Sequence, residues 1–254
     1  MNNMKEPLKQ NTVYGLHPVM EAMNAGKEIE KIFIQKGLRG DTFAELMQRL
    51  KQGSIPYQFV PVEKLNRITR KNHQGVVAYI SPVVFYQIED VLPGLYEEGK
   101  TPFVILLDRI TDVRNFGAIL RTAECSGVNA VIIPSKNTAQ LNSDTIKSSA
   151  GAIYKVPICR SENLKLTLDF LKQSGLRIAA ATEKAEQTCF YADLTGPVAL
   201  LLGSEGEGIS GEYLKKADLK VKIPVLGEIE SLNVSVAAGV LMYEVVRQRG
   251  AEMV

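Results

Sequence analysis

From residue 103 onward the chain carries four short apolar runs: FVILL (103–107), AVII (130–133), IAAA (178–181) and VALLL (198–202). Runs of this length without polar alternation mark strands buried on both faces, as in a parallel sheet. Parallel strands cannot be joined by hairpins and need crossover connections, usually helices. The intervening segments supply them. Helices are predicted over 116–126, 143–151, 164–174 and 209–216, with a long final one over 234–248. The fold class expected for 102–254 is therefore α/β, an open parallel sheet with helices on both faces.

The first eighty residues form a smaller alternating pattern. A short helix is predicted over 18–25, with Pro18 at its start and Gly26 after its end. IEKIFIQ (29–35) alternates like a strand. Asp41 is placed to cap a helix running to Gln52, with Gly53 as terminator. A strand is expected over 57–60, a helix over 62–70 and a strand over 76–80. These elements make a small α/β unit over 1–81. Between 82 and 101 the pattern weakens. Prolines, glycines and acidic residues interrupt it, so a linker with one helical turn near 88–96 is expected.

The composition is that of a soluble globular chain: 254 residues, 45% hydrophobic and 23% charged. The net charge of +2 excludes a histone-like polycation, so nucleic-acid binding would depend on local patches. Cys125, Cys159 and Cys189 form no CxxC pair and no disulfide framework, and reduced thiols are expected. The first ten residues lack the apolar core of a signal peptide, and no apolar run approaches the ~18 residues of a membrane span. The expected location is the cytoplasm. His17 and His73 are the only histidines, which excludes HExxH and any His-rich metal site.

Three polar, glycine-containing stretches lie beside the apolar strands, where open α/β sheets bind ligands. The first, from Asp112 to Ala123, places Asn115 before a helix and Arg121 within it. A surface Arg on a helix is commonly just solvated. The second, 201–210, reads G-x-x-G-x-G, which is neither a dinucleotide fingerprint nor a P-loop. It is a tight strand-to-helix turn or a loop whose backbone approaches a ligand. Glu205 and Glu207 would suit a ligand with positive charge and hydroxyl donors, such as S-adenosylmethionine, rather than a pyrophosphate. The third, 223–235, leads into the final helix, which Ser231 or Asn233 is able to cap. In the first unit Lys64, Arg67, Arg70 and Lys71 share one face of the predicted helix, and Asn72, His73 and Gln74 follow. Such a face is either merely solvated or suited to a phosphate backbone with exposed bases.

Taken together, NFGAILRTAE (115–124), LLLGSEGEGI (200–209) and IPVLGEIESLNVSVAAG (223–239) resemble the three motifs of the SpoU/TrmH group of SPOUT RNA methyltransferases. VYGLHPVMEAM near the start and NHQGVVA (72–78) resemble the substrate-binding domain of the branch that methylates a guanosine of large-subunit (23S) rRNA. The resemblance implies a trefoil knot in the C-terminal domain, a ribosomal-protein-like N-terminal RNA-binding domain, S-adenosylmethionine as cofactor, a homodimer, and methylation of a ribose 2′-hydroxyl. It implies that Gly203, Ile223 and Leu232 line the cofactor pocket, and that Asn115, Arg121, Glu205, Ser231 and Asn233 are the polar catalytic residues. RNA contacts are expected at Lys64, Arg67, Arg70, Lys71, His73 and Arg114. No metal is expected.

The chain departs from the group at Asp112-Val113-Arg114-Asn115, where the usual sequence is Asp-Pro-x-Asn. Arg114 is expected to add a phosphate contact there. The wide apolar arc of Val234, Val236, Ala237, Val240, Leu241, Val245 and Val246 separately suggests a partner subunit. A tRNA ribose methyltransferase and a non-catalytic RNA-binding protein of the same fold are the alternatives.

Overall fold

A computed structural model describes residues 12–53 and 55–250, which fall into two compact units. The decapeptide 1–10, read above for a signal segment, lies outside the described residues. The smaller unit comprises residues up to 84 with 141–143, and the larger comprises 85–140 and the chain from 144.

The smaller unit runs β1 (Thr12–Tyr14), α1 (Leu16–Asn24), β2 (Ile29–Gln35), α2 (Asp41–Gln52), β3 (Tyr57–Val60), α3 (Val62–Ile68) and β4 (Val76–Ile80). The sheet order is β1-β4-β2-β3. β4 is antiparallel to β1 and β2, and β2 is parallel to β3. On one face α1 and α2 pack Val19, Leu46 and Leu50 against Ile32, Ile34, Val76 and Ala78. On the other, Leu65 of α3 joins Phe33, Val60 and Val77.

Two expectations change here. Helix α1 begins at Leu16, so Pro18 stands inside the first turn, where a missing N–H costs no intrahelical bond. Helix α3 ends at Ile68, because Thr69 turns extended (φ −146°, ψ 138°). Arg70 and Lys71 therefore leave the helix and do not share a helical face with Lys64 and Arg67.

The larger unit runs β5 (Phe85–Tyr86), α4 (Ile88–Glu97), β6 (Phe103–Asp108), α5 (Val113–Cys125), β7 (Ala130–Pro134), α6 (Ser143–Ser148), β8 (Ile158–Ser161), α7 (Leu164–Gln173), β9 (Arg177–Ala181), β10 (Gln187–Thr188), β11 (Val198–Gly203), α8 (Gly211–Leu214), β12 (Leu219–Lys222) and α9 (Val234–Gln248). Eight strands pair throughout in parallel, in the order β10-β12-β9-β11-β6-β7-β8-β5. All six residues of β6 are buried, the five of its apolar run and Asp108 after them. The order reverses beside β6: β7 and β8 extend one way, and β9 starts on the other side. The gap left between β9 and β6 is filled later by β11. Crevices at such reversals, outside the carboxyl ends of the strands, are where open sheets hold ligands.

The stretch 82–101 is not a linker. Phe85 and Tyr86 pair with β8, and α4 spans three turns. Ile88, Leu92 and Leu95 are spaced i, i+4, i+7 and enter the core of the larger unit. Glu89 and Asp90, read above as linker acidity, occupy the first turn of α4, where they complement the helix dipole. No helix among the described residues is long and apolar enough to cross a membrane.

Leu92→Ala should destabilise the protein by about 2–5 kcal/mol, the usual cost of truncating a buried leucine. Urea denaturation measures this, and a loss below ~0.5 kcal/mol would return residues 85–101 to the status of a tether.

Candidate functional site

The site is built on the carboxyl ends of β6, β11 and β12, and each loop there has a local cause. At the end of β6 the Asp108 side chain is 2% exposed. Arg109 follows in the left-handed region (φ 57°), an uncommon conformation for a residue with a side chain. Its Nε donates to Asp108 Oδ1 at 3.0 Å and its Nη2 to the Gly208 carbonyl at 3.2 Å. Nη1 pairs with Glu207. Asp108 Oδ2 accepts from the Ser210 amide at 2.8 Å. Arg109 is raised above its ordinary pKa chiefly by its bond to Asp108. One guanidinium thus ties the end of β6 to the loop after β11.

That loop folds back on itself. Ser204 and Gly208 form an isolated bridge, and the Gly208 amide donates to the Ser204 carbonyl at 2.9 Å. A Cβ on Gly203 would stand 2.1 Å from the Gly208 carbonyl carbon, a backbone atom with nowhere to go. Glycine at 203 is therefore demanded by the loop's own closure.

Asn115 and Asn233 stand at the starts of α5 and α9. Asp112 caps α5, its Oδ1 accepting from the amides of Arg114 (2.8 Å) and Asn115 (2.9 Å). This cap is why α5 begins at Val113, three residues before the predicted start. Asn233 caps α9, accepting from the Ser235 amide at 2.9 Å. Glu205 joins the two helix starts. Its Oε1 accepts from Asn115 Nδ2 at 3.0 Å, from Asn233 Nδ2, and from the Val234 amide at 3.4 Å. Asn233 Nδ2 also donates to Asn115 Oδ1 at 3.0 Å. A carboxylate at a helix N-terminus is favoured by the exposed amides and the dipole.

Beside this triangle lies a cleft of about 290 Å³. Gly203, Ile223 and Leu232, expected at a cofactor pocket, line it together with Glu205 and Ser231, expected among the catalytic residues. Thr182, Glu183 and Lys184, from the end of β9, line it as well and were not anticipated. Leu202, Val221, Val234 and Ala237 supply an apolar wall, and Glu183, Glu205, Glu207 and Glu230 outnumber Lys184 and Lys222 around it. Such a cleft suits a flat apolar ring carrying hydroxyls and a positive group. Among the described residues no His, Cys, Asp and Glu gather in threes to hold a metal.

The other expected residues are dispersed. Arg121 is exposed on α5 and makes no hydrogen bond or ion pair among the described residues. Gly117, one turn earlier, is where α5 meets α6: a Cβ there would lie 1.9 Å from Ser148 Oγ. Arg114 is exposed at the start of α5. His73 is buried rather than available to a ligand. Its Nδ1 accepts from the Gly75 amide at 3.0 Å, and its Nε2 is 2.9 Å from Asn66 Oδ1. Lys64 lies over the Phe33 ring and Lys71 over Tyr14. Arg67 and Arg70 are exposed. Asp108 and Arg109 went unnoticed in the sequence, yet they directly follow an apolar run at the carboxyl end of a parallel strand, where site residues concentrate.

The Asn115 and Arg114 amides hold the Asp112 carboxyl below the usual carboxylate range. A depressed folded-state value means that the cap stabilises fully above the unfolded-state pKa and is lost as pH falls through the folded one. Asp112→Ala should lower stability by about 0.5–2 kcal/mol at neutral pH. The gap to the parent should close on acidification; a pH-independent difference in urea midpoint would show that Asp112 does not act as a cap.

A family model described as the SpoU rRNA Methylase family matches residues 102–243, and one described as RNA 2′-O ribose methyltransferase substrate binding matches residues 12–85. A Staphylococcus haemolyticus protein, named as a TrmH family tRNA/rRNA methyltransferase, is 39% identical over 239 residues, covering 93% of this chain and 95% of its own. Among solved structures, the SpoU methyltransferase AviRb of Streptomyces viridochromogenes, crystallised with AdoMet, matches with a TM-score of 0.60. It is 23% identical and covers 95% of this chain and 91% of that one. The A. aeolicus TrmH/SpoU tRNA modifying enzyme is 31% identical with a TM-score of 0.54, covering 64% of this chain and 84% of its own. With both units matched and both helix starts gathered on one glutamate, this chain belongs to the SpoU/TrmH family of RNA 2′-O-ribose methyltransferases.

Proposed function

We propose that this chain is a cytoplasmic enzyme that methylates the 2′-hydroxyl of a guanosine in large-subunit (23S) rRNA, with S-adenosylmethionine held in the cleft behind Gly203. The observation that carries the cofactor is the donor set of that cleft. Leu202, Val221 and Ile223 give an adenine ring apolar contact, and Thr182 and Ser231 offer hydroxyls. Glu183, Glu205 and Glu230 favour an ammonium and a sulfonium. When bound, the cofactor supplies an electrophilic methyl group. The trefoil knot belongs to the same proposal.

The rRNA reading is favoured by a separate substrate-binding unit over 12–85. A tRNA substrate is the second reading, favoured by the A. aeolicus tRNA modifying enzyme, whose match covers 64% of this chain. The resident residues have distinct tasks. Asn115, Glu205 and Asn233 hold the starts of α5 and α9 together beside the cleft, and Ser231 presents a hydroxyl to it. Arg121, without a partner among the described residues, is free for the RNA. Its planar fork orients a substrate phosphate and stabilises charge developing on the ribose oxygen, or takes the 2′-hydroxyl proton as base. We also assign a second copy of the chain to the apolar face that α9 leaves open. Val236 (52% exposed) and Tyr243 (51%) lie on that helix, and Leu226 (98%) and Ile229 (78%) lie on the loop before it. Light scattering at micromolar concentration should give a dimer, and a monomer would refute this assignment.

Tritium transfer from labelled cofactor to rRNA, with the modified position mapped, tests the whole reading; label appearing in tRNA alone would select the second. Arg121→Ala should lose at least about two orders of magnitude in turnover, and Arg121→Lys should recover little. Calorimetric cofactor affinity should stay at the parental value in both. Arg109→Ala should behave oppositely, weakening cofactor affinity about tenfold because the loop bearing Gly203 and Glu205 loses its tie. If Arg121→Ala keeps near-parental turnover while folded, Arg121 is merely a solvated helix residue.

A further inference from the structure

The sheet of the smaller unit is covered unequally. Two helices cover the face formed by Ile32, Ile34, Val76 and Ala78, whereas among the described residues only the seven-residue α3 covers the opposite one. The strand register places Tyr14 beside Val77, and Lys31 beside Tyr79, on that second face. Tyr14, Lys31 and Tyr79 remain only half-buried. Phe33 and Tyr79 meet edge to face at 5.8 Å between ring centres.

Three lysines converge on these rings from three separate parts of the chain. The Lys31 ammonium lies 4.9 Å and the Lys64 ammonium 4.6 Å from the centre of the Phe33 ring. The Lys71 ammonium lies 5.4 Å from that of Tyr14. Burial, and then the neighbouring Lys64 charge, push Lys31 below the usual lysine range. The Glu30 carboxylate, next along β2, opposes that shift only through space. None of the three ammonium groups forms an ion pair among the described residues, whereas Arg49, Lys100, Lys155, Lys172 and Lys216 each have an acidic partner. Lysine stems do cover apolar surface, but that role needs no convergence of like charges. Two ammonium groups gathered on one ring without a counter-ion are stabilised by an anion that bridges them.

We propose that this half-covered face is a binding site for single-stranded RNA, whose phosphates bridge Lys31, Lys64 and Lys71 while its bases meet the half-buried rings of Tyr14 and Tyr79. The choice of RNA as the anion rests on the RNA methyltransferase reading. Charge and aromatic surface occur together here, which is the combination that holds unpaired strands. The site differs from a basic helix face: Lys31 enters it from a strand, Arg67 and Arg70 stay outside, and His73 is internal.

The test uses the full chain with Lys31→Met, Lys64→Met and Lys71→Met combined, which keeps the apolar stems and removes the three charges, together with the hydrogen bond between Lys71 and Tyr14. Binding of a labelled, roughly 12-nucleotide single-stranded RNA is followed by anisotropy across a salt series. The triple variant should bind about a hundredfold more weakly at ~0.1 M salt, and its log–log salt slope should fall by about 2, at roughly 0.7 per lost phosphate contact. Lys51→Met, on α2 across the sheet, should change neither. The matching triple Arg variant should keep the slope. Should the triple Met variant fail to fold, Lys64→Met alone should lower the slope by about 0.7.

An unchanged slope in a folded variant, or equal competition by an acidic peptide, overturns the proposal. Methyl transfer by the parent protein is measured alongside. An unchanged slope with intact transfer sinks this site and leaves the enzymatic reading standing. A lysine-dependent slope without transfer to any RNA does the reverse.

Discussion

The Asp108 carboxylate lies almost fully out of water at the end of a central strand, and a charge so placed is costly unless it is paired and hydrogen-bonded. Its partners are the guanidinium of the next residue and the amide of Ser210, a hundred residues further along the chain. Meeting that demand fixes the loop after β11. The backbone turns left-handed at Arg109 to bring the guanidinium round, and the remaining N–H groups reach Glu207 and the Gly208 carbonyl. With both ends of the loop held, Gly203 packs under Gly208 and Glu205 stands where two helices begin.

The geometry of the candidate site follows from backbone satisfaction as much as from side-chain chemistry. Helix starts leave amides without intrahelical partners. Asp112 and Asn233 satisfy amides at α5 and α9, and Glu205 takes one more at α9 while bonding Asn115. Asn115 and Asn233 are therefore not free amides poised for a substrate. They are members of a closed network, which limits how far either side chain is able to move during a reaction. Arg121 stands in contrast, because no group among the described residues claims it.

The sequence made the buried strands legible because their apolar runs are unbroken. β6, β7, β9 and β11 lie within one residue of their expected ends. α2 and α9 match their predicted spans, since each has a clear terminus signal and a long pattern. What escaped has identifiable causes. The pair of residues in β5 is too short to show a period, and Pro93 with Gly94 masked the spacing of Ile88, Leu92 and Leu95 in α4. The early end of α3 depends on Thr69, whose extended backbone no pattern of apolar residues announces. Most of the cleft was legible from three motifs, whereas Arg109 and the residues after β9 were not. Their role arises only when strands distant in sequence lie side by side. The convergence of Lys31 with Lys64 was hidden likewise, because one is on a strand and the other on a helix.

The strand order has a consequence for the chain as it is made. β6 and β9 are synthesised well before β11, the strand that separates them. Until residues 198–203 emerge, each presents a row of unpaired backbone groups on an edge flanked by buried apolar side chains, the kind of surface that recruits foreign strands. A nascent chain stalled near residue 190 would hold two such edges open at the centre of its sheet. The last third of the sequence is thus a seam as well as a carrier of cleft residues, and the protein's vulnerability to aggregation is concentrated in the interval before that seam closes.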